Sequence, residues 1–310
     1  MSAGSSGDAR FDATFHGHAF GEMPAEPQGF VREKFHAREI AQVLSHYDLG
    51  VLREIREYRR GSRRAAKLKV SADGGDYLLK RRALGRSLDR DRERAAAGHT
   101  IQSRAASGGV PVARLVPLRS GGTLLQFGDR LYELHQWVEG TRYERHAEQA
   151  RAAGGVLARM HAAFARLELL EELPQGGFTD IDGVRHAFNL GAERAKERTL
   201  QEGQARLQAS LDAVRGHMDR FEAKLTVKGL PLQRGAICHG DFHPGNTLWA
   251  SDQLVAVIDF DSVRLEAIAA EVANAMLQFS VRHRQGEDPL KWPVGLVSEN
   301  LRGFSAGYAL

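Results

Sequence analysis

Apolar residues recur at helical spacing over 36–49, where Ile40, Val43, Leu44 and Tyr47 fall at i, i+3, i+4 and i+7 and share one face. Gly50 follows as a stop. The period then shortens. Val51–Arg59 and Ala65–Ser71 read as strands joined by Arg60-Gly61-Ser62-Arg63-Arg64. Asp73-Gly74-Gly75-Asp76 reads as a hairpin turn into a third strand, Tyr77–Lys80. A helix is expected over 87–107, ending at Gly108-Gly109, and two more strands at Thr123–Phe127 and Leu131–Gln136. The second strand runs into Trp137-Val138-Glu139-Gly140. Beyond it the pattern is mainly helical. Residues 144–168 carry an apolar face of Val156, Leu157, Met160, Phe164 and Leu167, while 178–189 has little regularity. From 192 to 225, Leu200, Leu207, Leu211, Val214, Met218, Phe221 and Leu225 are spaced for a face buried on the rest of the chain, with a coiled-coil partner surface as the other reading. A last helix is expected over 264–281.

A length of 310 residues suits two lobes. The single cysteine, Cys238, excludes an internal disulfide framework and a multi-cysteine zinc site. It fits a reducing cytoplasm, and its simplest role is that of a small buried hydrophobe. No apolar run is long enough to span a membrane. Residues 1–30, rich in Gly, Ser, Ala and Pro, are expected to form a disordered tail. The net charge is +4, yet between Arg53 and Arg94 fifteen Lys and Arg face seven Asp and Glu. Such a basic stretch suits an anionic ligand or a solvated surface. Without interleaved aromatics it gives little support to nucleic-acid binding.

The chemistry concentrates in Cys-His-Gly-Asp-Phe-His-Pro-Gly-Asn, residues 238–246, followed by Val-Ala-Val-Ile-Asp-Phe-Asp, 255–261. Phosphoryl transfer needs one carboxylate to receive a hydroxyl proton, and a second carboxylate with a carboxamide oxygen to hold Mg²⁺ on the phosphates. His239-x-Asp241-xxxx-Asn246 keeps the spacing of the kinase catalytic loop, with Gly240 in place of its Arg, and Asp259 ends the next apolar run. A rival reading puts His239, Asp241 and His243 on one strand face as zinc ligands, but it leaves Asn246 and Asp259 without a role. There is no G-x-x-x-x-G-K-[ST], and no two glycines stand at i, i+2, so P-loop and Rossmann sites are excluded.

On these residues the chain resembles the aminoglycoside phosphotransferase and choline kinase superfamily, which includes homoserine kinases. The resemblance is specific over 237–261 and weaker from about 36 to 280. It implies an α+β, protein-kinase-like fold with an antiparallel N-lobe sheet over 31–136 and a mainly helical C-lobe over 137–310, with ATP and Mg²⁺ in the cleft. Asp241 would be the catalytic base, Asn246 and Asp259 the metal ligands, and Lys80 the phosphate cation. Glu93, on the helix after that strand, would pair with Lys80. Backbone groups from Glu133 through Gln136 to Val138 would bind the adenine edge, and Ser62 would approach the β-phosphate. His239 and His243 would scaffold the loop, and Glu271 would pin it. His161 reads as a packed core histidine, and Asp261 as a cap for the following helix, with contact to a second metal as the other reading.

The acceptor expected is a small-molecule hydroxyl: an amino alcohol, sugar or aminoglycoside. No Ala-Pro-Glu follows Asp259, and no room is left for an activation loop, which favours a small-molecule kinase over a regulated protein kinase. A bacterial Ser/Thr protein kinase and a non-catalytic pseudokinase remain the alternatives. The second is suggested by the poor set of acids on 87–107 and by a chain that stops soon after Tyr308. The oligomeric state is open.

Overall fold

The computed structural model describes residues 34–58, 65–83, 85, 87–167, 173–177, 179–228, 235–282 and 295–309. The expectations for the tail at 1–30 and for Ser62 lie outside the described residues.

Helix α1 (Ala37–Leu44) starts at His36, whose N–H donates to Glu39 Oε2 at 3.1 Å in a capping box. An antiparallel sheet follows: β1 (Leu52–Glu57), β2 (Ala66–Ala72), β3 (Gly75–Arg81), β4 (Leu124–Phe127) and β5 (Arg130–Gln136), in spatial order β1-β2-β3-β5-β4. Alternation divides the two faces. Leu68, Val70, Tyr77, Leu79, Tyr132 and Leu134 join Val43, Leu44 and Tyr47 in one buried cluster under α1. Glu39 ties the helix to that face, accepting from Arg81 and from the Tyr132 hydroxyl, each at 2.7 Å. The intervening residues, Lys80 and Glu133 among them, therefore project from the opposite face. They sit directly across from each other in the β3–β5 register.

Helix α2 (Leu88–Ser107) begins at Ser87, whose hydroxyl accepts from Arg90 N–H. Its Ile101 and Ala105 enter a second core with Leu157, Met160, Phe242, Trp249, Phe279 and Phe304. The elements around that core are α3 (Ala147–Phe164), β6 (Ala236–Cys238), β7 (Thr247–Ala250), β8 (Gln253–Val257), β9 (Arg264–Glu266), α6 (Ile268–Ser280) and α7 (Ser298–Tyr308). Outside it stand α4 (Ile181–Arg198) and α5 (Gln204–Lys228). No helix among the described residues is long and apolar enough to cross a membrane.

The structure departs from the sequence reading in three places. The irregular stretch 178–189 contains the first half of α4, capped by Asp180, whose carboxylate accepts from Gly183 N–H at 3.0 Å. Its period was hard to see because Ala192 is the one residue of this helix that is buried. The face expected to be buried over 192–225 is largely exposed: Leu211 is buried, but Leu200, Val214 and Phe221 face solvent. Helices α4 and α5 are instead held to each other by Arg185, which bonds Asp219 at 2.7 Å and Glu222 at 2.5 Å. The helix expected from 264 starts at Ile268, because Arg264–Glu266 pairs with Ala236–Cys238.

Candidate active site

The loop carrying the motif leaves β6, which pairs with β9, at Cys238 and enters β7, which pairs with β8, at Thr247. Its shape is set by its own side chains. His239 is fully buried; its Nδ1 accepts from Asp241 N–H at 3.3 Å, so its Nε2–H donates to the Ile258 carbonyl at 3.2 Å. Burial also holds its pKa below the ordinary value, which keeps the ring neutral. His243 Nδ1 accepts from Gly245 N–H at 2.9 Å. With both His239 nitrogens and His243 Nδ1 engaged on backbone or bonded within the loop, the zinc reading has no ligand set here. Pro244 opens a single 3₁₀ turn that ends at Asn246. Asn246 Nδ2 donates to the Asp241 carbonyl at 3.0 Å and to Asp241 Oδ2 at 2.9 Å. Its Oδ1 has no hydrogen bond among the described residues, which suits a metal ligand. Burial pushes the Asp241 pKa up, but His243, His239 and Asn246 outweigh it and hold the carboxyl below its ordinary value.

Gly240 explains the missing Arg of the kinase pattern. It sits at φ +78°, and a Cβ there would run into the Ser262 carbonyl and the Arg264 side chain. Arg264 supplies a guanidinium from β9 instead, with Nη2 3.3 Å from the Gly240 carbonyl. Behind the loop, the buried Glu271 accepts from His239 N–H at 3.2 Å and from Gly240 N–H at 2.6 Å. His161 Nε2 lies 2.8 Å from Glu271, and His161 Nδ1 lies 2.8 Å from the Tyr308 hydroxyl, so α3, α6 and α7 all brace the loop. Burial favours the uncharged form of Glu271, but His161, His239 and the Gly240 N–H hold its pKa below the ordinary value. Cys238 is buried and its thiol pKa is pushed up, chiefly by burial, so it is no nucleophile.

Asp259 follows β8 in the left-handed region, φ 67° and ψ 66°, a conformation that costs energy for a residue with a side chain and is kept where the surroundings require it. Its Oδ1 is 3.5 Å from Lys80 Nζ. Lys80 also bonds Asp261 at 2.9 Å and Glu133 at 3.0 Å. Glu93 is not its partner. That residue is exposed on α2, whereas the acid facing Lys80 is Glu133, 2% exposed on the neighbouring strand. Burial opposes the charge of Glu133, yet Lys80 and Arg82, with His135 and His99, hold its pKa well below the ordinary value. Asp261 does not cap the next helix, whose N-cap is Ala267; it binds Lys80 and Arg82. Glu133, Arg82 and His99 are the site residues that sequence reasoning missed in these roles. The available signal was the period of two: Glu133 and His135 share a strand face, as do Lys80 and Arg82.

Lys80, Asn246 and Asp259 line one cavity of about 500 Å³ between the sheet and the 244–261 segment. Gln136, Trp137 and Val138 line it as well. Of the expected adenine-binding groups, the Glu133 main chain is inside the sheet, paired with both Lys80 and Leu124. The Gln136 N–H donates to the Arg114 carbonyl, and the Trp137 N–H to the Asp76 carbonyl. The Val138 N–H makes no backbone hydrogen bond among the described residues. A second cavity of about 280 Å³ adjoins the first at Asp261 and is lined by Arg94, Asp180 and Arg264.

Known proteins resemble this chain in sequence and in fold. Over 159 residues the chain is 30% identical to a homoserine kinase of Rhizobium etli (strain CIAT 652), a match spanning 51% of this chain and 44% of that protein. The chain thus matches less than half the length of this curated relative. A spectinomycin phosphotransferase solved in complex with ADP and spectinomycin superposes with a TM-score of 0.59 at 14% identity, over 90% of this chain and 81% of that one. An amicoumacin kinase solved with AMP-PNP and Ca²⁺ gives 0.58 at 13% identity, over 89% and 78%. At such identities the likeness establishes the protein-kinase-like fold, with its antiparallel sheet followed by a mainly helical region. The profile of the phosphotransferase enzyme family matches residues 54–291, most of the chain, and the protein belongs to that family.

Proposed function

We propose that this protein transfers the γ-phosphoryl group of ATP, with Mg²⁺, to the hydroxyl of a small molecule. The observation that carries the reading is the convergence of Lys80, Asn246 and Asp259 on one cavity, with Asp241 hydrogen-bonded to Asn246 beside it. The main-chain edge at Gln136–Val138 would receive the adenine, with Val138 N–H as the available donor. Asn246 through Oδ1, and Asp259, would hold the metal, which neutralises charge on the phosphates when bound. Lys80 would grip the phosphates. Asp241, kept ionised, would orient the acceptor hydroxyl and take its proton late, because a loose transition state demands little early deprotonation. Such a reaction belongs in the cytoplasm, where ATP is at hand. Glu133 supplies the acid whose absence from α2 suggested a non-catalytic alternative.

The second cavity, which meets the first at Asp261, would take the acceptor. Its carboxylates already have partners: Asp180 caps α4, and Asp261 holds Lys80 and Arg82. Arg94 and Arg264 form no ion pair among the described residues, so the cavity favours an acceptor bearing an anionic group over a polycationic aminoglycoside. The test is ADP release with Mg·ATP against hydroxy acids, amino alcohols, sugars, aminoglycosides and a generic protein, beside Asp241→Asn. Acceptor-dependent ADP that vanishes in the variant is expected. Undiminished turnover in Asp241→Asn would overturn the base assignment.

A further inference from the structure

The lysine on β3 is gripped by an acid, but that acid stands on a strand, and the reason lies in α2. Gly98 is the α2 residue that faces the 259–261 turn, and a Cβ there would come within 2.8 Å of the Phe260 carbonyl. The helix therefore packs backbone against backbone where it meets the site, and no side chain can leave it at that point. The next residue is His99, 6% exposed. Its Nε2 is 2.8 Å from Glu133 Oε2, and its Nδ1 is 2.8 Å from the Thr123 hydroxyl. The ring is held at both edges.

We propose that His99 and Glu133 act as a two-residue relay through which α2 positions Lys80 for the phosphates of the nucleotide. Glu133 Oε1 takes Lys80 at 3.0 Å and lies 3.3 Å from His135, while Oε2 takes Arg82 at 2.6 Å and His99. A carboxylate held on both oxygens has a single rotamer, and it transmits that constraint to the lysine. Charge supports the assignment. Lys80 and Arg82 balance Glu133 and Asp261, which leaves Asp259, 3.5 Å from Lys80, as the carboxylate in excess and hence available to a cation. Without a fixed Glu133, both cations would turn to Asp261 and Asp259, and Lys80 would compete with the metal for its ligand. His99 is thus a positioning residue. The proposal rests on the reading of Lys80 as the phosphate cation.

The decisive measurement compares Mg·ATP and adenosine affinities across wild type, His99→Leu, His99→Gln and Thr123→Val. Leu fills the space without a donor, Gln offers an amide nitrogen near the Nε2 position, and Val removes the hydroxyl that orients the ring. His99→Leu is expected to weaken ATP binding by about 10–100-fold, as losses of orienting partners commonly do. Adenosine affinity should stay as in wild type, because the nucleoside has no phosphate for Lys80. His99→Gln should restore ATP affinity to near wild type, and Thr123→Val should show a smaller loss in the same direction. Equal loss for ATP and adenosine, or no loss in either His99→Leu or Thr123→Val, would overturn the relay. If His99→Leu does not fold, a Thr123→Val protein that binds ATP as wild type does overturns it equally. Wild-type protein that binds neither nucleotide nor nucleoside would sink the underlying phosphotransferase reading, an outcome distinct from failure of the relay alone.

Discussion

The nucleotide-sized cavity is walled on one side by the 239–261 segment, which lines it with residues 244–248 and 258–261, and on the other by β3, β5 and α2, and the two walls are built by opposite means. In the first, Asp241, His239, His243 and Asn246 bond one another across a span of eight residues. In the second, Lys80, His99 and Glu133 come from three separate elements, and their cluster closes only through Asp261 of the facing segment. A local loop is specified by spacing, because each polar group finds its partner within a turn of itself. A long-range cluster is specified by packing, because its members meet only after the sheet and the helix have docked. The lesson is that one site can hold a constellation readable as a motif beside one invisible to motifs.

Substitutions in the first wall should have the largest effects. Asp241→Asn is expected to lower kcat by about 10²–10⁴-fold while leaving nucleotide affinity intact, measured by single-turnover kinetics and ATP titration. Asp259→Ala should abolish the Mg²⁺ dependence of nucleotide binding, visible as ATP affinities that no longer respond to chelator. The second wall should reveal itself in stability. Glu133→Ala leaves the cations Lys80 and Arg82 buried with less compensation, and with Asp261 still present the cost should be about 3 kcal/mol, read from denaturant midpoints.

The same residue sharpens the comparison through pH. The pKa of Glu133 in the fold lies well below its ordinary value of 4.5, so its stabilisation is full above that value and is lost as pH falls through the folded pKa. Glu133→Gln should therefore lose less stability than wild type on acidification from neutral to about pH 4 and below. Glu271, also lowered, titrates with the same sign and remains as the background in both proteins. The smallest effect is expected at Glu93. An exposed α2 residue that makes no ion pair with Lys80, it should tolerate Ala with a stability change within about 0.5 kcal/mol and unchanged ATP affinity. A large loss at Glu93, or none at Glu133, would reverse the contrast between helix and strand.

Much of the fold could be read in advance because its periods are strong. Tyr77–Lys80, announced by the Asp73–Asp76 turn, and Leu131–Gln136 became β3 and β5, and the helix expected over 87–107 became α2. The readings that missed turn on tertiary contacts. The first turns of α4 bury too little to leave a period, the apolar spacing over 200–221 marks a face that stays largely exposed, and the strand at 264–266 pairs with β6.

For the site, the order His239-x-Asp241-xxxx-Asn246 followed by Asp259 was determined by sequence alone, since a tight loop leaves these side chains few other partners. The choice of Glu133 over Glu93 was made by tertiary structure. Gly98 lets α2 approach the Phe260 carbonyl too closely for an acid, and the register of β3 with β5 sets Glu133 opposite Lys80. Spacing along the chain encodes contacts within a turn, but the distance between two strands and a helix is decided by how their backbones pack.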